Sequence, residues 1–492
     1  MSSKSEAVSA PGKGGEGGKA VKAGLGYTVG NILVKGIVFL TLPIFSRLMT
    51  TAQFGVYNVF ISYESILYVL IGCAMDLSLQ NAKLDYRENV NSYISSVSML
   101  YVINSLVCCL LITVMGSWLS EVLKLEQRIL YLLVVYSFST AIISLYNMKV
   151  SLNYEYKKYL ALTLSYSIGN VLLSLLLILT VLSDRRDYGR IIGASGAVMI
   201  AALWVLYTLY KDAPPKPNRE YWKYGLKYSL PLVPHGISQV LLAQFDRIMI
   251  RQMISDAAAG VYSLAANIKL VLTVITHSIT SAWRTWFFNA MHNNRVKEIQ
   301  TRARQLVEMY MILAVGAMSV SHELVLILGG RNYDEAKYVA IPMIMDAFML
   351  FIYSVVVQGE YYTKKTHFIT IGTVIATVVN IITNYIFIRK YGFVAAAYTT
   401  LFSYMIHLSL HLYISRKVTG FAIIPPRPLL IFLGIIAADG AANIILVDNM
   451  AARWLVCLAV EAAIGLHFVK DTQILSKFLR KFKGEKHVET ES

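Results

Sequence analysis

The chain has 492 residues, of which 56% are apolar, 12% aromatic and only 15% charged, and its formal net charge is +16. With a mean hydropathy of +0.55, this composition excludes a soluble globular domain and a disordered chain and indicates a polytopic membrane protein. The basic excess lies mostly between apolar runs, where anionic lipid attracts it, so nucleic acid is not implied as a partner.

The first 22 residues are rich in Gly, Ala, Ser and Lys. They hold no apolar stretch or cleavage pattern, so 1–22 reads as a disordered cytoplasmic tail rather than a signal peptide. Within it, "PGKGGEGGKA" (11–20) is not a phosphate loop. The motif G-x-x-x-x-G-K-[ST] needs Ser or Thr after the lysine, and Lys19 is followed by Ala20, which argues against ATP hydrolysis.

Apolar runs follow at about 26–46, 54–76, 94–118, 128–148, 159–182, 190–210, 226–250, 257–282, 305–328, 338–358, 367–388, 393–414, 428–447 and 452–469. Each is about as long as the bilayer core requires. Barrel strands would alternate in polarity, and backbone groups left open in hydrocarbon are costly, so these runs predict an all-α integral membrane protein with about 14 transmembrane helices.

The first run, "GNILVKGIVFLTLPIF" (30–45), carries Lys35 at its centre. A charge there costs roughly 2.5–3.5 kcal/mol on insertion scales and calls for a compensating role. With an inner N-terminus, the inner segments hold 29 Lys and Arg and the outer ones 13. The positive-inside rule thus places both termini in the cytoplasm. Cys73, Cys108, Cys109 and Cys457 all lie within apolar runs without C-x-x-C spacing, as packing residues rather than metal ligands or disulfides.

A shift of 200 residues lays "LVKGIVFLTLPIFSRLM" (33–49) over "VPHGISQVLLAQFDRIM" (233–249), matching Gly36 with Gly236, Ile37 with Ile237, Arg47 with Arg247, Met49 with Met249 and Lys35 with His235. A shift of 205 then pairs Gly55 and Tyr57 with Gly260 and Tyr262, and Glu64 with Lys269. This duplication predicts two pseudo-symmetric six-helix bundles, 23–210 and 226–415. They are joined by a basic cytoplasmic linker (211–225) and followed by two additional helices (428–469) and a basic cytoplasmic tail (470–492). Transporters built from such repeats bind substrate near the midplane, between the halves.

Lys35, His235, Glu64 and Lys269 fall at one depth in this scheme. The plainer reading is a Glu64–Lys269 pair that fixes packing and a Lys35 that snorkels to water. Intramembrane ionisable groups more often face a cavity, and a cationic cavity suits an anionic headgroup. In "SLPLVPHGI" (229–237), Pro231, Pro234 and Gly236 predict a kink beside His235. His407 and His411 stand one turn apart without a glutamate in H-E-x-x-H spacing, so they read as a polar helix face and not a zinc site. No nucleophile motif and no long outer loop suggests an enzyme.

The stretches "KGIVFLTLPIFSRLMTTAQFGVYNVFIS" (35–62) and "YSLPLVPHGISQVLLAQFDRIMIRQMISDAAAGVYSLAANI" (228–268) resemble signatures of the bacterial Wzx-type polysaccharide flippases. These belong to the multidrug/oligosaccharidyl-lipid/polysaccharide exporter superfamily. The resemblance implies flipping of an undecaprenyl-diphosphate-linked oligosaccharide across the cytoplasmic (inner) membrane by alternating access, for O-antigen, capsule or exopolysaccharide synthesis, without a cofactor. It also implies partnership with membrane lipids and with polysaccharide polymerase and chain-length proteins. Lys35 and Lys269 match positions where relatives place cavity cations, with His235 and Glu64 beside them. Arg47, Arg247, Pro234 and Gly236 suit gating or loop roles. Glu64, Asp76, Asp246, Asp346 and Glu360 are all open as ion-coupling candidates. The alternative is a cation-coupled multidrug exporter of the same superfamily.

Overall fold

The computed structural model describes residues 16–472, and these are helical throughout apart from turns and connections. In chain order the α-helices are α1 (Glu16–Leu48), α2 (Thr51–Gly72), α3 (Met75–Asp85), α4 (Val90–Leu123), α5 (Gln127–Leu152), α6 (Tyr156–Leu179), α7 (Arg186–Asp212), α8 (Arg219–Ser229) and α9 (Val233–Met253). They continue as α10 (Asp256–His292), α11 (Val296–Ser319), α12 (Ser321–Gly329), α13 (Lys337–Val356), α14 (Gln358–Tyr362), α15 (His367–Tyr391), α16 (Val394–Thr419), α17 (Pro426–Ile445) and α18 (Met450–Thr472). Short 3-10 segments, Leu230–Leu232 and Arg331–Ala336, precede α9 and α13. The tails expected at 1–22 and 470–492 fall largely outside the described residues.

Among the described residues, eleven helical segments are long and apolar enough to cross a membrane, and twelve if the bent pair α11–α12 counts as one span. The expected count of 14 is not reached by this measure. The difference lies in α9 and α16, which have 21 and 26 residues but carry polar side chains on buried faces. Asp246 and Arg251 on α9 and His407, His411 and Ser415 on α16 are all buried.

Helix ends follow local chemistry. The Asn218 side chain accepts from the Glu220 and Tyr221 backbone N–H groups to start α8, and the Ser255 hydroxyl accepts from Ala258 N at 3.1 Å to start α10. Gly420, at φ +84°, ends α16 in the left-handed region that only glycine adopts without cost. The expected kink near His235 takes the form of the 3-10 turn at 230–232, where Pro231 cannot continue the helical hydrogen-bond ladder.

The packing divides into two compact units. Unit 1 comprises the described residues up to Leu40, Leu67–Ser183 and Gly189–Val233. Unit 2 comprises Thr41–Ile66, Asp184–Tyr188 and the residues from Pro234 on. In unit 1, α8 lies on α3 and α4. A Cβ on Gly225 would stand 2.4 Å from Met75 Cε and 2.6 Å from the Tyr93 hydroxyl. Tyr86, Tyr93, Tyr221 and Tyr224 interlock with ring centroids 5.0–6.0 Å apart, and Trp222 Nε1 donates to Ser96 O at 2.8 Å. Tyr224 donates to Asp85 Oδ2 at 2.6 Å, and burial together with that carboxylate pushes its phenol pKa up. Part of the expected linker 211–225 is therefore docked helix.

Thr41–Ile66 belongs to unit 2, although the repeat assigns it to the first half. The cause is a backbone contact between repeat mates. A Cβ on Gly55 would lie 1.9 Å from Asp256 O, and one on Gly260 would lie 2.0 Å from Thr51 O. Only glycine lets α2 and α10 approach so closely.

The unit 2 core is aromatic and aliphatic, with Trp283 and Phe287 from α10, Tyr310 from α11 and Phe348 and Phe351 from α13. Tyr310 and Phe351 stack at 4.0 Å. Beside it, Arg453 of α18, 2% exposed, grips Glu323 of α12 with two hydrogen bonds of 2.6 and 3.1 Å and donates to Ser319 O at 2.6 Å. It thus straddles the 57° bend between α11 and α12. Removing one partner of such a buried pair costs about 3–5 kcal/mol. Arg453→Leu is expected to lower thermal stability by that order, and Arg453→Lys is expected to recover only part, because an ammonium cannot reproduce the fork. Melting curves of the purified variants check both.

Candidate functional site

The ionisable residues singled out in the sequence divide between the units. Lys35 belongs to unit 1, mid-way along α1 on an exposed face, and no carboxylate pairs with it among the described residues. Glu64, His235, Arg247, Lys269, Asp346, Glu360, His407 and His411 all belong to unit 2.

Lys269, on α10, points its ammonium at Asp346 of α13, and the two form an ion pair whose side chains are 17% and 0% exposed. The Tyr404 ring of α16 lies beneath the ammonium, 5.1 Å from ring centre to Nζ, in cation–π range. Glu64, buried in α2, was the expected partner of Lys269, and Asp346 holds that ion-pair position. Lys269 is therefore a neutralised cation. An anion reaches it only by displacing Asp346 or by protonation of that carboxylate.

Unit 2 holds a second buried carboxylate, on α9. Asp246 of α9 accepts from Tyr262 at 2.5 Å, from Thr400 at 2.7 Å and from Asn384 at 2.7 Å. Asn380 donates to Thr400 at 2.9 Å, so α9, α10, α15 and α16 are tied by one polar network. Each acceptor and donor is paired, which is how a buried polar cluster avoids its desolvation penalty.

His235, the repeat mate of Lys35, interacts electrostatically with His411 and His407. His411 Nδ1 and Glu360 Oε1 are 2.7 Å apart with both side chains fully buried. The His407 and His411 rings stand edge to face at 4.7 Å, and Tyr353 covers them at 4.3 and 4.8 Å. The two histidines, 3% and 0% exposed, lie on a polar face of α16 that is turned inward. A stripe at 400, 403, 404, 407, 411 and 415 along an otherwise apolar helix is the signal that marks this inward face.

Of the expected gating residues, Arg47 ends α1 and donates to Ile327 O at 3.0 Å, and Arg247 donates to Gln244 Oε1 at 2.5 Å. Pro234 and Gly236 occupy the first turn of α9, directly after the 3-10 break. The arrangement can hold charge inside an apolar helical unit and move it by exchanging partners. Among the described residues no cluster of His, Cys, Asp or Glu suits a metal ion.

Residues 20–291 match the family described as "Polysaccharide biosynthesis protein". The chain is 20% identical over 378 residues to a protein of the Lsg locus of Haemophilus influenzae, covering 73% of this chain and 89% of that one. It is 21% identical over 393 residues to the "Probable low-salt glycan biosynthesis flippase Agl15" of Haloferax volcanii, covering 78% and 80%. Among solved structures, the lipid II flippase MurJ in an inward closed conformation superimposes with a TM-score of 0.70 at 13% identity, covering 91% of this chain and 99% of that one. That likeness shows the fold, and the family match spans more than half of the sequence: this multi-pass membrane protein belongs to the polysaccharide biosynthesis protein family.

Proposed function

We propose that this protein flips an undecaprenyl-diphosphate-linked oligosaccharide from the cytoplasmic to the outer leaflet of the bacterial cytoplasmic membrane, by alternating access and with both termini in the cytoplasm. The product would feed O-antigen, capsule or exopolysaccharide assembly, with polymerase and chain-length proteins downstream. The observation that carries this reading is Lys269, an ammonium held inside an apolar helical unit by one carboxylate and one aromatic face. A diphosphate cannot enter hydrocarbon unpaired, and an ammonium that exchanges Asp346 for phosphate removes most of that penalty. The family match and the flippase named among the relatives support the same substrate class.

In this proposal Lys35 and Lys269 contact the headgroup, His235 and Glu64 tune them, and Arg47, Arg247, Pro234 and Gly236 serve opening and closing. A second reading, cation-coupled multidrug export, is favoured by the buried carboxylates of unit 2, Glu64, Asp246, Asp346 and Glu360.

One variant separates the two. Asp346→Asn removes the competitor of a diphosphate and the anchor of an organic cation. In nanodiscs, the flippase reading expects Asp346→Asn to bind undecaprenyl diphosphate about tenfold more tightly than wild type, equivalent to about 1.4 kcal/mol. Weaker binding of ethidium by the variant, with no binding of undecaprenyl diphosphate by either protein, would establish the exporter instead.

A further inference from the structure

Glu360, His411 and His407 form a buried cluster to which the flippase reading assigns no role. Three helices build it. α14 brings Glu360, α16 brings both His407 and His411, and α13 covers the rings with Tyr353; His235 of α9 acts on the rings electrostatically. On α15, Gly372 makes room, since a Cβ there would lie 2.4 Å from His411 Nε2.

The cluster is under-supplied with hydrogen bonds. Four of its buried polar atoms have no protein partner: both ring nitrogens of His407, Nε2 of His411 and Oε2 of Glu360. Buried polar groups are paired in the great majority of cases, and each exception calls for an explanation. No cluster of metal-binding geometry exists among the described residues, and the groups that meet here are two imidazoles and a carboxylate, whose shared ligand is a proton.

The charged and titratable groups around it are few. Tyr353 and Tyr404 face it from α13 and α16, Tyr361 follows Glu360 on α14, and Arg284 of α10 is engaged by Gln358 at 3.1 Å and by the Tyr361 ring at 5.3 Å. An imidazolium formed here has one counter-ion, Glu360, and one aromatic face, Tyr353.

We propose that Glu360, His411 and His407 together constitute a proton-binding site inside unit 2, which takes up one proton beyond the one shared by the Glu360–His411 pair. The added proton enters on an open imidazole nitrogen, converts that ring to imidazolium, and leaves by the reverse step. No covalent bond other than N–H is made or broken. This inference is independent of the substrate.

The test is a proton titration of the full-length protein in nanodiscs, with its histidine rings labelled with nitrogen-15. Signals are assigned by single His→Gln variants. His407 and His411 are expected to respond in one joint step, and Glu360→Gln is expected to move the midpoint of that step by about one pH unit or more, as coupled sites do. Identical midpoints in wild type and Glu360→Gln, or no response of either ring between about pH 5 and 9, would overturn the proposal. Should Glu360→Gln not fold, His407→Gln read out at His411 serves instead: a moved midpoint supports the site, and an unmoved one overturns it.

Discussion

Lys269→Met is expected to abolish oligosaccharide translocation and to lower the stability of the protein by about 3–5 kcal/mol, the cost of leaving a buried carboxylate without its cation. The stability loss alone proves nothing about transport, so the informative comparison is the double variant Lys269→Met/Asp346→Leu. Replacing both members of a buried pair by apolar residues of similar volume is often neutral or stabilising. The double variant is therefore expected to melt within about 1 kcal/mol of wild type, or above it, while remaining inactive. Lys35 gives the contrasting case. Its side chain lies on an exposed face without an ion-pair partner among the described residues, so Lys35→Ala is expected to keep wild-type stability and to weaken headgroup binding.

The second large effect is steric. Gly260→Ala is expected to destabilise unit 2 by about 3 kcal/mol, at the upper end of the usual cost of overpacking. Its new methyl would stand 2.0 Å from Thr51 O and 3.0 Å from Thr51 C. Gly55→Ala meets Asp256 O at 1.9 Å and Gly260 N at 2.8 Å and should behave alike. Every one of these atoms is backbone, so no side chain can swing aside and the two helices must separate. Gly36→Ala is the control, with nothing within 4 Å of the added carbon. There the better helix propensity of alanine applies, and stability should stay within about 1 kcal/mol of wild type. Thermal unfolding in one detergent, read for all three variants, checks the ranking.

The helices were legible because hydrocarbon leaves the backbone no other solution. Even α9 and α16, too polar to meet the apolar criterion, fall on runs that the sequence marks at 226–250 and 393–414. The grouping of Thr41–Ile66 with unit 2 was less visible. It depends on the close backbone approach of α2 and α10 at Gly55 and Gly260, a tertiary contact that the matching of the two positions along the sequence does not reveal.

At the site, the residue types were readable and the partners were not. Lys269 stands out because a lysine in an apolar run is costly, and Glu64 was its natural partner under the repeat. Asp346 takes that position through the packing of α10 on α13, a tertiary contact with no local sequence signature. The fate of His407 and His411 rested on which face of α16 is buried. The stripe of Thr, Ser, Tyr and His on that face carried the answer, and motif spacing alone did not.

The most direct test of the central claim, that Lys269 receives the diphosphate of a lipid-linked sugar, is translocation in proteoliposomes. An undecaprenyl-diphosphate oligosaccharide is placed in one leaflet, and an impermeant glycan-cleaving enzyme reports its arrival in the other. Wild type is expected to expose the substrate and the folded Lys269→Met/Asp346→Leu protein to leave it protected. Movement at the wild-type rate by that double variant would contradict the account.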